Sequence, residues 1–339
     1  MISLILPVRN EANFIRRCLD AILSQDYPQD QIEILISDGM STDNTREIIL
    51  EYQQIHPRII LVNNPQKIVP TGMNIALRQA KGDIIIRVDG HTQIARDYVS
   101  KCVDTLTRIQ ADNVGGCMTA EGVKEFGKVV AIATSTSFGI GNSRFHYSRV
   151  EEEVDSVYMG AWPKAVFKRI GLFDEELVRD QDDEFNYRLL ENGGKITLNP
   201  SIKSIYTTRS TPGSLWKQYF QYGFYKVRVL QKHPRQMSLR QFVPPLFVSG
   251  LSISLVLTLF THWGWIPLVS IAGSYLIANL VASIVTCSKK GWKHLPLLPI
   301  TYSILHLSYG FGFLAGIIKF WNRWGDKKGK VPGWAMDNK

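Results

Sequence analysis

ISDGMSTDNT, at Ile36–Thr45, decides the fold. It leaves the apolar, β-branched run IEILISD (Ile32–Asp38) and passes straight into a turn rich in Gly, Ser, Asp and Asn, so a buried strand ends where polar side chains gather. Reading backward, ISLILPV (Ile2–Val8) is a second such run, closed by Arg9, Asn10 and Glu11; reading forward, RIILVNN (Arg58–Asn64) and DIIIRVD (Asp83–Asp89) are two more. Helical spacing fills the gaps. Glu11–Ser24 sets Phe14, Ile15, Cys18, Leu19 and Ile22 on one face, and Asp43–Tyr52 opens with Thr42 or Asp43 as an N-cap. Strand–helix alternation of this kind predicts an α/β domain with a mostly parallel sheet, and the loops at the carboxyl ends of its strands are where a ligand sits.

Past Ala111 the pattern is less regular. Gly115–Ala120 reads as a strand, Val129–Ser148 is rich in small and hydroxyl residues, and strand and helix return from Val157 to Leu190. The composition then changes: Phe242–Phe260, Ile266–Cys287 and Leu295–Phe320 hold no acidic residue and are each long enough to span a bilayer. The expected organisation is a ligand-binding domain over 1–213, a basic interfacial linker over 214–240 and a membrane region over 241–339 with three hydrophobic segments.

Net charge is +9 over 339 residues. From Ser214 to Arg240 the chain carries Lys217, Lys226, Arg228, Lys232, Arg235 and Arg240 and no acid, immediately before the first apolar segment. That position assigns the basic balance to a lipid membrane surface and not to a nucleic acid. Lys289, Lys290 and Lys293 follow the second segment, while Lys319, Arg323, Lys327, Lys328 and Lys330 follow the third. Both clusters favour the cytoplasm, yet three single crossings would put them on opposite sides; Pro296 and Pro299 mark the third segment as the one to be broken, interfacial or re-entrant. Cys18, Cys102, Cys117 and Cys287 form no CxxC pair, which argues against a disulfide framework or a zinc site and for a reducing compartment. Met1 runs directly into Ile2 and Leu4 without a basic leader, so the first domain is expected to stay in the cytoplasm at the inner or plasma membrane.

ISDGMSTDNT, PVRNE (Pro7–Glu11) and VDGH (Val88–His91) together closely resemble the family 2 glycosyltransferases with the A-type nucleotide-sugar fold, over about residues 2–230. VDGH, QDDEFNYRL (Gln181–Leu189) and the apolar tail are similar to enzymes of bacterial exopolysaccharide synthesis, of the succinoglycan type. The resemblance implies a membrane-anchored inverting transferase that moves a sugar from a nucleoside diphosphate sugar, UDP-sugar favoured, to a polyprenyl-linked glycan. It implies that Asp38 and Asp43 help hold the nucleoside beside Pro7, Val8, Asn10 and Glu11. A carboxylate at such a crevice can accept the imide, amide and hydroxyl donors of a base and ribose.

Asp89, Gly90 and His91 fall where the family carries its DxD motif, with His91 in place of the second acid. They imply donor binding through Asp89 and a Mg or Mn ion at Asp89 and His91, which would neutralise charge on the departing pyrophosphate. In RDQDDEFNYRL (Arg179–Leu189) the family's general base falls on Asp182, with Asp183, Glu184 and Arg188 beside it. MGAWPKAVFKRIGLFDE (Met159–Glu175) matches the segment bordering acceptor and donor sugar, where Gly160 would allow close backbone approach and Trp162 would stack on a sugar face. Arg9 and Lys67, in strand-end loops, are placed to meet phosphates. The QxxRW motif of processive relatives is absent from WKQYFQYGFYKVR (Trp216–Arg228), which implies single addition. Two other readings remain: a sugar nucleotidyltransferase, which would call for a Gly-rich phosphate loop that Pro7–Glu11 does not supply, and a non-catalytic membrane scaffold or sugar-binding module.

Overall fold

The computed structural model describes residues 1–141, 144–146 and 148–334. Part of the expected small-residue stretch 129–148 and the last five residues of the expected membrane region lie outside the described residues. The chain forms two compact units that interleave along the sequence, the first built from 1–119, 144–206 and 328–339 and the second from 120–143 and 207–327.

The first unit contains β1 (Ile2–Val8), α1 (Ile15–Leu23), β2 (Ile32–Asp38), α2 (Thr45–Ile55), β3 (Ile59–Asn63), α3 (Val69–Gln79), β4 (Ile84–Arg87), β5 (Thr92–Ile94), α4 (Tyr98–Ile109) and β6 (Asn113–Glu121). In the second unit follow α5 (Glu125–Thr134) and α6 (Ser137–Ile140). The chain then returns to the first unit with β7 (Glu152–Glu153), β8 (Tyr158–Pro163), α7 (Lys164–Ile170), α8 (Gln181–Glu191) and β9 (Ile196–Thr207). The second unit resumes with α9 (Pro212–Lys232), α10 (Val243–Phe260), α11 (Trp265–Lys290) and α12 (Leu298–Lys319).

Among the described residues nine strands make one sheet in the order β3-β2-β1-β4-β8-β6-β9-β5, with β7 on β9. The first four strands read from the sequence form its parallel part, with Ile2 opposite both Ile32 and Ile84. Beyond β4 the pairing turns antiparallel, so the sheet is mixed. Alternation along β1 explains how it is covered on both faces. Leu4 and Leu6 pack with Ile15 and Leu19 of α1, Ile48 of α2 and Val99 of α4, whereas Ile5 packs with Met73 and Leu77 of α3, Phe167 of α7 and Phe185 of α8. A strand buried on both sides has no reason to alternate in polarity, which is why these runs read as continuously apolar.

One stretch completes the first unit from far down the chain. Pro332 O accepts from Leu172 N at 2.9 Å, Lys330 O accepts from Glu175 N at 3.0 Å, and Lys330 N donates to Asp174 Oδ1 at 2.9 Å. The Lys164 ammonium lies 5.4 Å from the centre of the Trp334 ring. From the other side Asn74 of α3 donates to Phe173 O and accepts from Phe173 N. The loop that leads into α8 is therefore held along its backbone.

The second unit is helical. Val130, Ala133, Leu215, Leu298, Tyr302 and Leu305 form one of its cores. α10, α11 and α12 are long and apolar enough to cross a membrane. The third segment is not broken at Pro296 or Pro299: α12 runs unbroken from Leu298, because Pro299 occupies its first turn, where a missing N–H costs nothing.

Candidate active site

Parallel strands put all their carboxyl ends on one edge. Val8 lies beside Asp38 and Ile5 beside Arg87, so the loops after β1, β2 and β4 are neighbours. Asn10, at φ +56, turns the first loop toward the second. Its N–H donates to Ser41 Oγ at 2.9 Å, and its side-chain oxygen accepts from Thr42 N at 2.8 Å. Glu11 N donates to Thr45 Oγ1 at 2.8 Å and Ala12 N to Asp43 Oδ2 at 3.2 Å.

Asp38 and Asp43 act within this framework. The Asp38 side chain is fully buried, accepting from Ser41 Oγ at 2.5 Å and pairing with Arg46 Nη1 at 2.7 Å. The carboxylate thus shapes the crevice from beneath and does not present an open oxygen to a base. Asp43 accepts from Thr45 and Ala12; burial works to raise its pKa, but these bonds outweigh it and hold the carboxyl below the ordinary value. Asp43 also does not cap α2, which begins at Thr45 after Asn44.

The third loop meets the first. His91 Nδ1 lies 3.1 Å from Glu11 Oε1, and the His91 ring stands edge-on to Tyr206 at 5.1 Å. Two residues earlier, Asp89 Oδ1 accepts from Arg87 Nε at 2.8 Å and Oδ2 from the Tyr158 hydroxyl at 3.5 Å. On the far side of the same guanidinium, Arg87 Nη1 lies 3.9 Å from Asp182 Oδ2 at the start of α8. Asp89 and Asp182, 93 positions apart in sequence, therefore flank one cation.

The electrostatics follow from burial. The Arg87 side chain is 8% exposed, and Nη1 has no hydrogen-bond partner among the described residues. Burial alone would weaken its hold on its proton; Asp89 and Asp182 more than reverse this, so the guanidinium stays charged. Burial likewise acts to raise Asp89, but Arg87 and His91 prevail and its pKa ends below the usual carboxylate value. Tyr158 is pushed well above the ordinary phenol value by burial and by Asp89, so it remains a donor. Asp182 is 39% exposed, open enough to meet a substrate. Asp183 accepts from Ser156 Oγ at 3.3 Å, and buried Glu184 pairs with Arg188, which also donates to Leu172 O at 2.8 Å. Glu184 and Arg188 thus brace the loop before α8.

The glycosyl transferase family 2 model matches residues 3–171. The chain belongs to that family. Over 326 residues, 94% of this chain and 97% of the relative, it is 29% identical to the dolichyl N-acetyl-alpha-D-glucosaminyl phosphate 3-beta-D-2,3-diacetamido-2,3-dideoxy-beta-D-glucuronosyltransferase of Methanococcus voltae. Succinoglycan biosynthesis protein ExoA of Rhizobium meliloti (strain 1021) is 27% identical over 322 residues, 94% of this chain and 96% of the relative. In fold, the chain resembles the mannosyltransferase PcManGT of Pyrobaculum calidifontis, solved with GDP-Man and Mn2+, at a TM-score of 0.60 and 17% identity over 92% of this chain and 86% of that one. The A-type expectation holds, and the transferase family sets the chain apart from sugar nucleotidyltransferases.

Within this transferase, Trp162 is a core residue. It is 2% exposed and stands edge-on to Phe167, Phe173 and Phe185 at 5.7, 6.0 and 5.9 Å, an enclosure that leaves no face for a sugar. Gly160 has φ +101, and a Cβ there would lie 2.4 Å from Trp162 Cζ2 and 2.8 Å from Asn113 Oδ1. Gly160→Ala is expected to cost roughly 1–3 kcal/mol from overpacking, with further strain from the left-handed backbone. A thermal melt in detergent checks this, and an unchanged Tm would contradict it. Arg87, Tyr158 and Tyr206 are the side chains that sequence reasoning missed. For Arg87 a signal was present: a charge inside the buried run DIIIRVD needs a buried partner.

Proposed function

We propose that the chain transfers a sugar, with inversion, from a nucleoside diphosphate sugar to a polyprenyl-linked glycan, one addition at a time, at the cytoplasmic face of the inner or plasma membrane. UDP-sugar is the favoured donor. The Arg87 bridge carries the reading: it joins the carboxylate assigned to the donor side, at 2.8 Å, and the one assigned to the acceptor side, at 3.9 Å. The relatives' names fit, since that of the Methanococcus voltae protein specifies a dolichyl-linked acceptor and that of the Rhizobium meliloti protein a polysaccharide.

In this reading Asp182 takes the acceptor hydroxyl's proton while that oxygen bonds to the anomeric carbon. The bond from that carbon to phosphate breaks on the opposite face, its electron pair leaving with the nucleoside diphosphate. Arg87 helps to position Asp182. Asp38, Asp43 and Asn10 fix the loop whose backbone, with Pro7, Val8 and Glu11, lines the nucleoside side, and Gly160 and Asp183 border the sugar.

The residues present fit a divalent ion. Among the described residues no three His, Cys, Asp or Glu side chains come together as a ready-made cage. Mg and Mn can be bound through one or two protein side chains together with substrate phosphates, and Asp89 and His91 are the residues that would hold such an ion. Bound there, the ion supplies positive charge to the pyrophosphate as it departs.

Full-length protein in detergent, given labelled nucleotide sugars and a polyprenyl-linked acceptor, is expected to transfer label, to stop with EDTA and to resume with Mn or Mg. Transfer that persists in EDTA would remove the metal. Thermal shifts across UDP, GDP, CDP and dTDP sugars should single out one donor, because a selectively bound ligand stabilises selectively.

A further inference from the structure

The apolar helices differ in what surrounds them. Of the residues in each apolar window, 17% are buried for α10 and 11% for α11, against 44% for α12. Leu246, Ile253 and Leu259 of α10 and Val269, Leu276 and Ile277 of α11 all point outward. At 18 and 26 residues these helices measure about 27 and 39 Å, against a hydrocarbon layer of about 30 Å. Trp263 in their connecting turn and Trp265 at the start of α11 are exposed, side chains suited to a membrane–water boundary.

Unlike these two, α12 is enclosed. A Cβ on Gly312 would lie 2.0 Å from Phe220 O and one on Gly316 2.5 Å from Phe224 O; one on Gly223 would lie 2.0 Å from Tyr309 O. Here α12 and α9 touch backbone to backbone, and α12 also meets the start of α10, where a Cβ on Gly310 would lie 2.6 Å from Pro244 O. Lys217 at the start of α9 is exposed and favours water there, while Lys226, Arg228 and Lys232 are buried in the protein and Arg228 reaches Asp326 just past α12. The first half of α12 is fixed by polar bonds, Tyr302 Oη to Thr136 and Thr286 at 3.0 and 3.1 Å and His306 to Phe138 O and the Tyr275 hydroxyl at 2.8 and 3.0 Å.

Chain parity supplies a second, independent constraint. The chain leaves the catalytic sheet at β9, and residues 328–334 return to that same unit at Leu172, Asp174 and Glu175. The number of complete crossings between these points must be even.

We propose that α10 and α11 cross the bilayer as a hairpin and that α12 does not cross, lying with α9 on the catalytic side at the membrane surface. This goes beyond the transfer reaction and is independent of donor and metal. It removes the conflict posed by the sequence: Lys289, Lys290 and Lys293, and also Lys319, Arg323, Lys327, Lys328 and Lys330, all fall on one side, as the bias of basic residues toward the cytoplasm requires.

The test uses the full chain in membranes, with Cys117→Ser removing the one native cysteine that is not buried. Single exposed cysteines are added as Asp104→Cys on α4, His262→Cys in the hairpin turn, Lys290→Cys and Lys328→Cys. A membrane-impermeant maleimide is applied to intact spheroplasts and to inverted vesicles. Asp104→Cys, Lys290→Cys and Lys328→Cys are expected to label from one side only and His262→Cys from the other only. If Lys328→Cys labels with His262→Cys, the helices cross three times; if all four label together, none crosses. Either result, or any grouping other than three against one, overturns the proposal.

Discussion

With Asp182→Asn, kcat is expected to fall by about 10²–10⁴-fold, the usual contribution of a positioned general base, while the donor dissociation constant stays within about threefold. The amide matches the carboxylate in shape and cannot take a proton. Asp182 is 39% exposed and its contact with Arg87 is long, at 3.9 Å, so losing that one charge pair should cost little stability. Removal of an interaction that acts only in the transition state lowers kcat and kcat/KM together. Rates with labelled donor and calorimetric donor binding read the two quantities separately. A variant that keeps even a tenth of the wild-type rate would remove Asp182 from its role, and one that loses donor binding as well would mark it as a structural acid.

Asp89→Asn should fail differently. If Asp89 holds the ion against the donor pyrophosphate, its loss should lower the rate about 10²–10³-fold and raise the Mn concentration needed for half-maximal rate. It should also cost stability, because Arg87 is buried and its 2.8 Å charged hydrogen bond runs to Asp89. Losing such a bond costs about 1.5–3 kcal/mol. The pH dependence gives an independent check. The folded pKa of Asp89 lies below the ordinary value of about 3.9, so its stabilising contribution is complete above that pH and is lost as pH falls through the folded pKa. Acid melts of the wild type should show that loss and those of Asp89→Asn should not. Unaltered Mn dependence in the variant would mean that the ion, if used, is held elsewhere.

The parallel half of the sheet was readable because burial on both faces forces unbroken apolar runs: β1 and β2 have the limits the sequence suggested, and β3 and β4 differ by a residue or two at their ends. Past Ala111 the strands pair antiparallel, and β6 shifts register against β8 between Val114 and Gly116, so neither periodicity nor length marks them clearly. Acids at strand ends could be found, but not their states. Nothing in ISDGMSTDNT tells that Asp38 is sealed under Ser41 and Arg46, because Arg46 returns to it from the helix that follows. Trp162 had the same ambiguity, since an aromatic two residues after a glycine is as consistent with a sugar platform as with a core, and only the three phenylalanines around it decide. The pairing of Lys330 with Asp174 spans 156 positions and has no local signature at all.

The return of residues 328–334 has a practical consequence for anyone wanting a water-soluble enzyme. Ending the polypeptide before its greasy helices would also strip away the partners of Leu172, Asp174 and Glu175, loosening the approach to α8 while leaving every acidic side chain in place. Such a fragment would fail for reasons unrelated to its chemistry. Splicing the final segment back through a short flexible tether is the design that should restore it.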